Sequence, residues 1–141
     1  MTVCLIIPPS IFLLDERVFM TLGILKVAAV LEQGGIEVQM LDLSGIENYE
    51  DVVRDHAAAT DAKAFGLTAT TPQMPAVANI QRLLRTVRPD ARLVLGGPHV
   101  TLSHSAVKLE KRAGRDSRAH AAYRRLEALT DHLVSGDGEM A

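Results

Sequence analysis

Ala91-Arg92-Leu93-Val94-Leu95-Gly96-Gly97-Pro98-His99-Val100-Thr101 is the stretch on which the fold turns. The apolar run Ala91 to Leu95 has the length of a buried strand, and we place the strand itself at Arg92 to Leu95. Gly96-Gly97 closes it, and a helix is expected next. Paired glycines at the end of a buried strand let a backbone or a flat ligand come within van der Waals distance where any Cβ would collide. In an open α/β sheet that strand end is where ligands sit.

Working upstream, Ala76 to Val87 puts Val77, Ile80, Leu83, Leu84 and Val87 on one side of a helix, and Ala64 to Thr68 reads as the strand before it. Tyr49 to Ala59 predicts another helix, with Asn48 as candidate N-cap. Ile36 to Leu41 alternates apolar and polar and ends a further strand at Leu41-Asp42-Leu43. Leu22 to Gln33 carries two helical sets, Leu22, Leu25 and Ala29, and Ile24, Val27, Ala28 and Leu31. It stops at Gly34-Gly35. Val3 to Ile7 is a continuous apolar run closed by Pro8-Pro9, as in a strand buried on both faces. Downstream, His132 to Ser135 predicts a short fifth strand closing on Gly136-Asp137-Gly138-Glu139.

Strands alternating with helices mean right-handed crossovers and a parallel sheet. The expected fold is α/β, a doubly wound, five-stranded parallel sheet of flavodoxin-like (Rossmann-like) type with strand order 2-1-3-4-5. The connection from Thr101 to Asp131 is long, basic and helical, interrupted near Gly114, and reads as an insertion over about 103–130.

Whole-chain numbers bound the function. The 141 residues, 48% hydrophobic with a formal charge of −2, describe a single domain with a core of its own. The one cysteine, Cys4, excludes a disulfide framework and any all-cysteine metal or iron–sulfur site built from this chain alone. It reads as inert core packing in a reducing, cytoplasmic setting. No apolar run is long enough to span a bilayer, so no membrane partner is expected. The near-neutral balance gives no whole-surface reason to invoke nucleic acid. Only residues 108–125 depart from it, where Lys108, Lys111, Arg112, Arg115, Arg118, Arg124 and Arg125 face Glu110 and Asp116. That segment reads as a solvated helix face.

In the 2-1-3-4-5 order the ligand should touch the loops after strands 1, 3, 4 and 5. A dinucleotide needs GxGxxG after the first strand, and a Walker loop needs GxxxxGK[ST]; neither is present. A phosphoryl-accepting receiver needs an aspartate where Thr68 stands. FMN remains an alternative, because hydroxyl-rich loops cradle phosphate. His99 and His104 lack further ligands at metal spacing. Asp42 reads as a loop turn, and Thr68 to Thr71 have a purely local alternative, ending a strand and capping the next helix.

Taken together, the loops have a familiar order. Leu5-Ile6-Ile7-Pro8-Pro9, Leu22-Gly23-Ile24-Leu25 leading into Ala28-Ala29-Val30-Leu31-Glu32, Leu41-Asp42-Leu43, Thr70-Thr71-Pro72, Leu95 to Thr101 and Ser135-Gly136-Asp137-Gly138-Glu139 follow one another at matching distances. In this the chain resembles the N-terminal cobalamin-binding domain of cobalamin-dependent radical S-adenosylmethionine enzymes. The resemblance implies a cobalamin (vitamin B12) site formed by Pro8, Pro9, Thr68, Thr70, Thr71, Gln73, Gly96, Gly97, Pro98, His99, Thr101 and Gly136. Gly96-Gly97 would admit the nucleotide tail, and Thr68 and Thr70 would offer it hydroxyls.

Better-known cobalamin domains carry DxHxxG after the first strand, whereas this chain has Pro8-Pro9-Ser10-Ile11-Phe12-Leu13. Cobalamin held base-off without a histidine ligand is therefore implied, a state more easily reduced to the methyl-accepting cobalt. Thr71, Gln73 or Met74 would approach the lower face. Ile11 to Leu14 would cover the corrin or contact a catalytic domain.

A complete enzyme of this kind, typically a methyltransferase, binds its iron–sulfur cluster and S-adenosylmethionine on CxxxCxxC in a following barrel. That motif is absent, so no catalysis is expected of this chain alone. The chain reads as an excised domain or a stand-alone module, partnered by a radical S-adenosylmethionine domain in cis or in trans. Self-association is expected where the strand 5 half of the sheet lacks a following helix. The competing reading is an interaction or regulatory domain that kept the fold and lost the cofactor.

Overall fold

The computed structural model describes residues 1–10, 21–116 and 118–141. Strands β1 (Thr2–Ile7), β2 (Glu37–Asp42), β3 (Ala64–Thr68), β4 (Arg92–Gly96) and β5 (His132–Leu133) form one sheet of order β2-β1-β3-β4-β5. All four pairings are parallel. Helices α1 (Leu22–Gln33), α2 (Tyr49–Ala59), α3 (Met74–Val87), α4 (Pro98–Arg112) and α5 (Arg118–Leu129) make the crossovers. This is the expected doubly wound fold.

β1 lies between β2 and β3 and is buried along its whole length, which is why it carries no alternation. Its side chains serve both layers. Cys4 and Ile6 join Phe65, Leu67, Leu93 and Leu95 in the larger core, which includes Val53, Val77, Ile80, Leu84, Val100 and Leu126 from the helices. Val3, Leu5 and Ile7 meet Ile24 and Ala28 of α1 in a smaller one. Burial pushes the Cys4 thiol up to about 12, so it stays protonated core filling.

Several local expectations change in the structure. Of the two sets on α1, only the Ile24 and Ala28 set is buried; Leu22 and Leu25 are exposed among the described residues. Asn48 holds the cap position of α2 without a side-chain cap bond. The third helix starts earlier, at Met74, after a 3-10 turn over Thr71–Gln73. The basic connection is helical: α4 begins at Pro98, ahead of the expected start near 103, and pairs with α5 as a helical hairpin. Asp42 turns the loop, its Oδ1 accepting the Ser44 N–H.

β5 spans two residues rather than the four expected. Side chains extend its ladder. The Leu93 N–H donates to Asp131 Oδ2 at 2.8 Å, the Asp131 N–H returns to Leu93 O, and Thr130 Oγ1 donates to the same oxygen. This bond, then Arg85, holds the Asp131 carboxyl below the usual carboxylate range. A lowered folded pKa contributes stability that is present above the ordinary carboxylate range and lost as pH falls through the lowered value. The denaturation midpoints of wild type and Asp131→Asn should therefore differ most near neutrality and begin to converge only as pH falls below about 4. A pH series of urea melts measures this.

Arg88 closes the other end of the core. Its guanidinium donates to the carbonyls of Ala57, Thr60 and Ala62 at 3.3, 3.0 and 2.8 Å, pairs with Asp90, and lies 5.8 Å from the Phe65 ring centroid. It thereby satisfies carbonyls that the end of α2 leaves open. Arg88→Met keeps the aliphatic stem and strands those carbonyls. It should cost about 1.5–3 kcal/mol, read from the denaturant midpoint.

Candidate functional site

Among the described residues, one face of the sheet is only half covered. Among the described residues, α1 is the helix that packs on the β1–β2 half of this face. Over β3, β4 and β5 the positions facing the same way are Gly66, Thr68, Val94, Gly96 and Val134, and all five line one cavity. Its volume is about 1070 Å³, at the top of the range for small-molecule sites. Leu5 and Ile7 extend the floor, Leu22, Ile24 and Val27 form the α1 wall, and Gly136 to Glu139 close the far side. The floor is deep because two neighbouring strands lack side chains there. A Cβ on Gly66 would stand 2.9 Å from Leu5 Cδ2, and one on Gly96 would stand 3.4 Å from Val134 O.

Of the residues predicted from sequence, Thr68, Thr70, Gln73, Gly96, Gly97, Pro98, Thr101 and Gly136 line this cavity. Pro8 and Pro9 are buried and do not line it; Pro8 supplies a carbonyl to the loop network instead. Thr71 and His99 open into a second depression of about 310 Å³ between the β3 loop, α4 and α5. Thr71 Oγ1 and His99 Nδ1 are 3.0 Å apart, and burial lowers the His99 pKa, favouring the neutral ring. The Ile11 to Leu14 cover lies outside the described residues.

Most of the polar side chains around the mouth are occupied in holding loops together. Gln73 Oε1 accepts from Thr70 N–H at 2.9 Å and from Thr70 Oγ1 at 3.1 Å, while its Nε2 donates to Pro8 O at 2.9 Å. That tie joins the loops after β1 and β3. Thr101 Oγ1 donates to Gly97 O and accepts the Gly136 N–H at 3.0 Å, joining the loops after β4 and β5. Met74 packs against the larger core. The three residues expected at a lower cofactor face, Thr71, Gln73 and Met74, are thus each engaged elsewhere. Thr68 differs: its hydroxyl lines the cavity and makes no side-chain hydrogen bond among the described residues.

Gly97 has a different reason for being glycine than Gly96. Its backbone sits at φ 98°, ψ −178°, and a Cβ would stand 2.6 Å from Ala69 N and 2.9 Å from Ala69 O. The turn into α4 presses on the end of β3. Ala69 N–H donates to Gly96 O, and His99 N–H donates to Ala69 O. Gly97 therefore admits backbone, while Gly96 leaves room on the cavity floor.

Sequence reading missed Gly66, Val94, Val134 and the α1 wall as lining residues. Gly66 carried a usable signal, a glycine inside the apolar strand Ala64 to Thr68, which marks a close approach. The valines carried none, because an apolar residue facing a cleft reads the same as one facing a core.

A family model described as the B12 binding domain matches residues 16–126. Among solved structures, the chain is similar to the radical S-adenosylmethionine methyltransferase TsrM from Kitasatospora setae, solved with tryptophan substrate and the SAM analog aza-SAM bound. That likeness has a TM-score of 0.54 and 19% identity over 72% of this chain. The match spans 20% of the length of TsrM, and at this identity it speaks to the fold. No curated protein matches the chain.

Proposed function

Since this chain belongs to the B12 binding domain family, we propose that the cavity over β3 and β4 holds cobalamin, as the cofactor module of a radical S-adenosylmethionine enzyme of methyltransferase type. The observation that carries this reading is the glycine floor. Gly66 and Gly96, on adjacent strands, leave a trough that side chains would fill, inside a cavity large enough for an unusually bulky ligand. The residues present therefore fit the group. Family membership also favours cobalamin over FMN.

Bound cobalamin supplies a cobalt centre able to carry a methyl group; the rest falls to the chain. Leu5, Ile7 and Val94 give the trough apolar sides, which exclude water. Thr68 offers a hydroxyl that makes no side-chain hydrogen bond among the described residues, for a polar group of the ligand. Gln73 and Thr101 act as positioning residues, fixing the loops that rim the cavity. Pro8, Pro9, Thr71 and His99 keep at most an indirect part, through the loops they brace. No histidine lines the cavity among the described residues, and none occurs from Ile11 to Met20. Base-off cobalamin without a histidine ligand is the corresponding proposal.

TsrM, named as a radical S-adenosylmethionine methyltransferase, supports the proposed enzymatic context. With one cysteine, this chain has no CxxxCxxC, so the cluster and S-adenosylmethionine belong to a partner domain. The experiment is a visible-spectrum titration of the purified chain with hydroxocobalamin. Saturable binding with a base-off spectrum supports the whole reading. Saturable binding with a base-on spectrum keeps the carrier and removes the base-off proposal. No binding by a well-folded chain leaves the interaction-domain reading.

A further inference from the structure

Charge is segregated along the helical layer made by α2, α3, α4 and α5. On the α4–α5 hairpin, Lys108, Lys111, Arg112, Arg115, Arg118 and Arg125 are exposed, and none makes an ion pair among the described residues. The carboxylates nearest the tip, Glu110 and Asp116, are engaged within the hairpin, and Glu127 lies further along α5. Glu110 accepts the N–H groups of Ala119 at 3.1 Å and His120 at 3.4 Å, which open α5. Asp116 pairs with Arg124 at 3.2 Å and faces His120 at 3.5 Å. The hairpin tip is left strongly positive.

The opposite end of the layer has the opposite sign. Glu47, Glu50, Asp51 and Asp55 on and just before α2 are all exposed, and Arg54, the one arginine or lysine on that helix, is paired with Asp51. α3 packs between, against α2 on one side and α5 on the other. The acidic and basic patches therefore cannot meet within one molecule.

We propose that the basic α4–α5 tip docks on the acidic α2 face of a second copy of this chain, head to tail. Charge complementarity selects that occupant. The described residues of the tip offer no exposed aromatic for base stacking; Tyr123 is half-buried against His104. Leu109, 64% exposed among the cations, supplies the apolar centre that a protein contact uses. Because the two patches are different surfaces, the contact is heterologous and builds chains or rings rather than a two-fold dimer. It is also sensitive to salt, since exposed charges are screened within about 10 Å at 0.1 M.

Sedimentation velocity of the whole chain tests this. In about 20 mM salt the sedimentation coefficient should rise with protein concentration, and in about 0.5 M salt it should return to that of the monomer. Arg112→Glu with Arg115→Glu should stay monomeric, as should Glu50→Lys with Asp55→Lys. An equimolar mixture of the two reversed proteins should associate again, because each tip then meets a complementary α2. Arg112→Gln with Arg115→Gln gives the same reading should the reversed pair fail to fold. A wild type that is monomeric at every concentration in low salt overturns the proposal, as does association that survives either reversal. Salt-sensitive binding of a labelled single-stranded RNA by a strictly monomeric chain, lost in the arginine variants, would assign the patch to nucleic acid instead.

Discussion

Replacing Gly97 with alanine is expected to damage the fold severely, lowering its stability by about 2–6 kcal/mol. Two costs add. The backbone at φ 98°, ψ −178° lies in a region open essentially to glycine, and forcing another residue into it costs about 1–3 kcal/mol. The new Cβ would also meet Ala69 N at 2.6 Å and Thr68 Oγ1 at 2.7 Å, and relieving overpacking of that kind costs a further 1–3 kcal/mol or so. Neither neighbour yields easily, because Ala69 is held by Gly96 O and by the His99 N–H. Set against the roughly 5–15 kcal/mol of a typical domain, such a loss approaches unfolding. Thermal and urea melts of Gly97→Ala measure it. A variant within about 1 kcal/mol of wild type would show that the turn relaxes and that Gly97 is not dictated by the backbone.

Gly96→Val should do the reverse, leaving the fold and removing the ligand. No unusual φ is required at Gly96, and a Cβ there meets Val134 O at 3.4 Å and Val134 Cβ at 3.6 Å, ordinary packing for a strand residue. Valine also suits an extended backbone. Its methyls, however, rise from the floor of the cavity, where the proposed cofactor would lie. Overlap on a rigid sheet costs about 1–3 kcal/mol, a roughly ten- to hundredfold loss of cobalamin affinity with an unchanged melting curve. Titration of both proteins with hydroxocobalamin, beside their melts, decides the matter. Equal affinity would move the ligand off the β4 floor. The contrast with Gly97 matters for experimental choice, because a bulky residue at Gly97 would abolish binding through misfolding alone.

The strand order was legible in the chain because it rests on local signals. Apolar runs of the right length, Gly and Pro punctuation and the right-handed crossover rule leave few arrangements. Loops after β3, β4 and β5 could be assigned to the cavity for the same reason: once the order is known, their common end of the sheet follows. Half of the cavity's hydroxyl residues and half of its glycines were thus named in advance: Thr68, Thr70, Thr101, Gly96, Gly97 and Gly136.

What the tertiary structure decided are matters of contact between segments far apart in sequence. Periodicity cannot tell Gly96 from Gly97; the approach of Ala69, across the sheet, separates ligand space from backbone packing. Thr71 and His99 share the loops of the main site, yet their mutual hydrogen bond and the neighbouring α5 turn them into a different depression. Thr130 and Asp131, which no strand pattern marks, brace the start of β5 by bonding Leu93 from the side. Burial pattern, chain punctuation and connection rules are properties of neighbouring residues, so they are written along the chain. Where a side chain points at the mouth of the sheet depends on which distant group claims its hydrogen bonds or its volume, and only the packed molecule settles that competition.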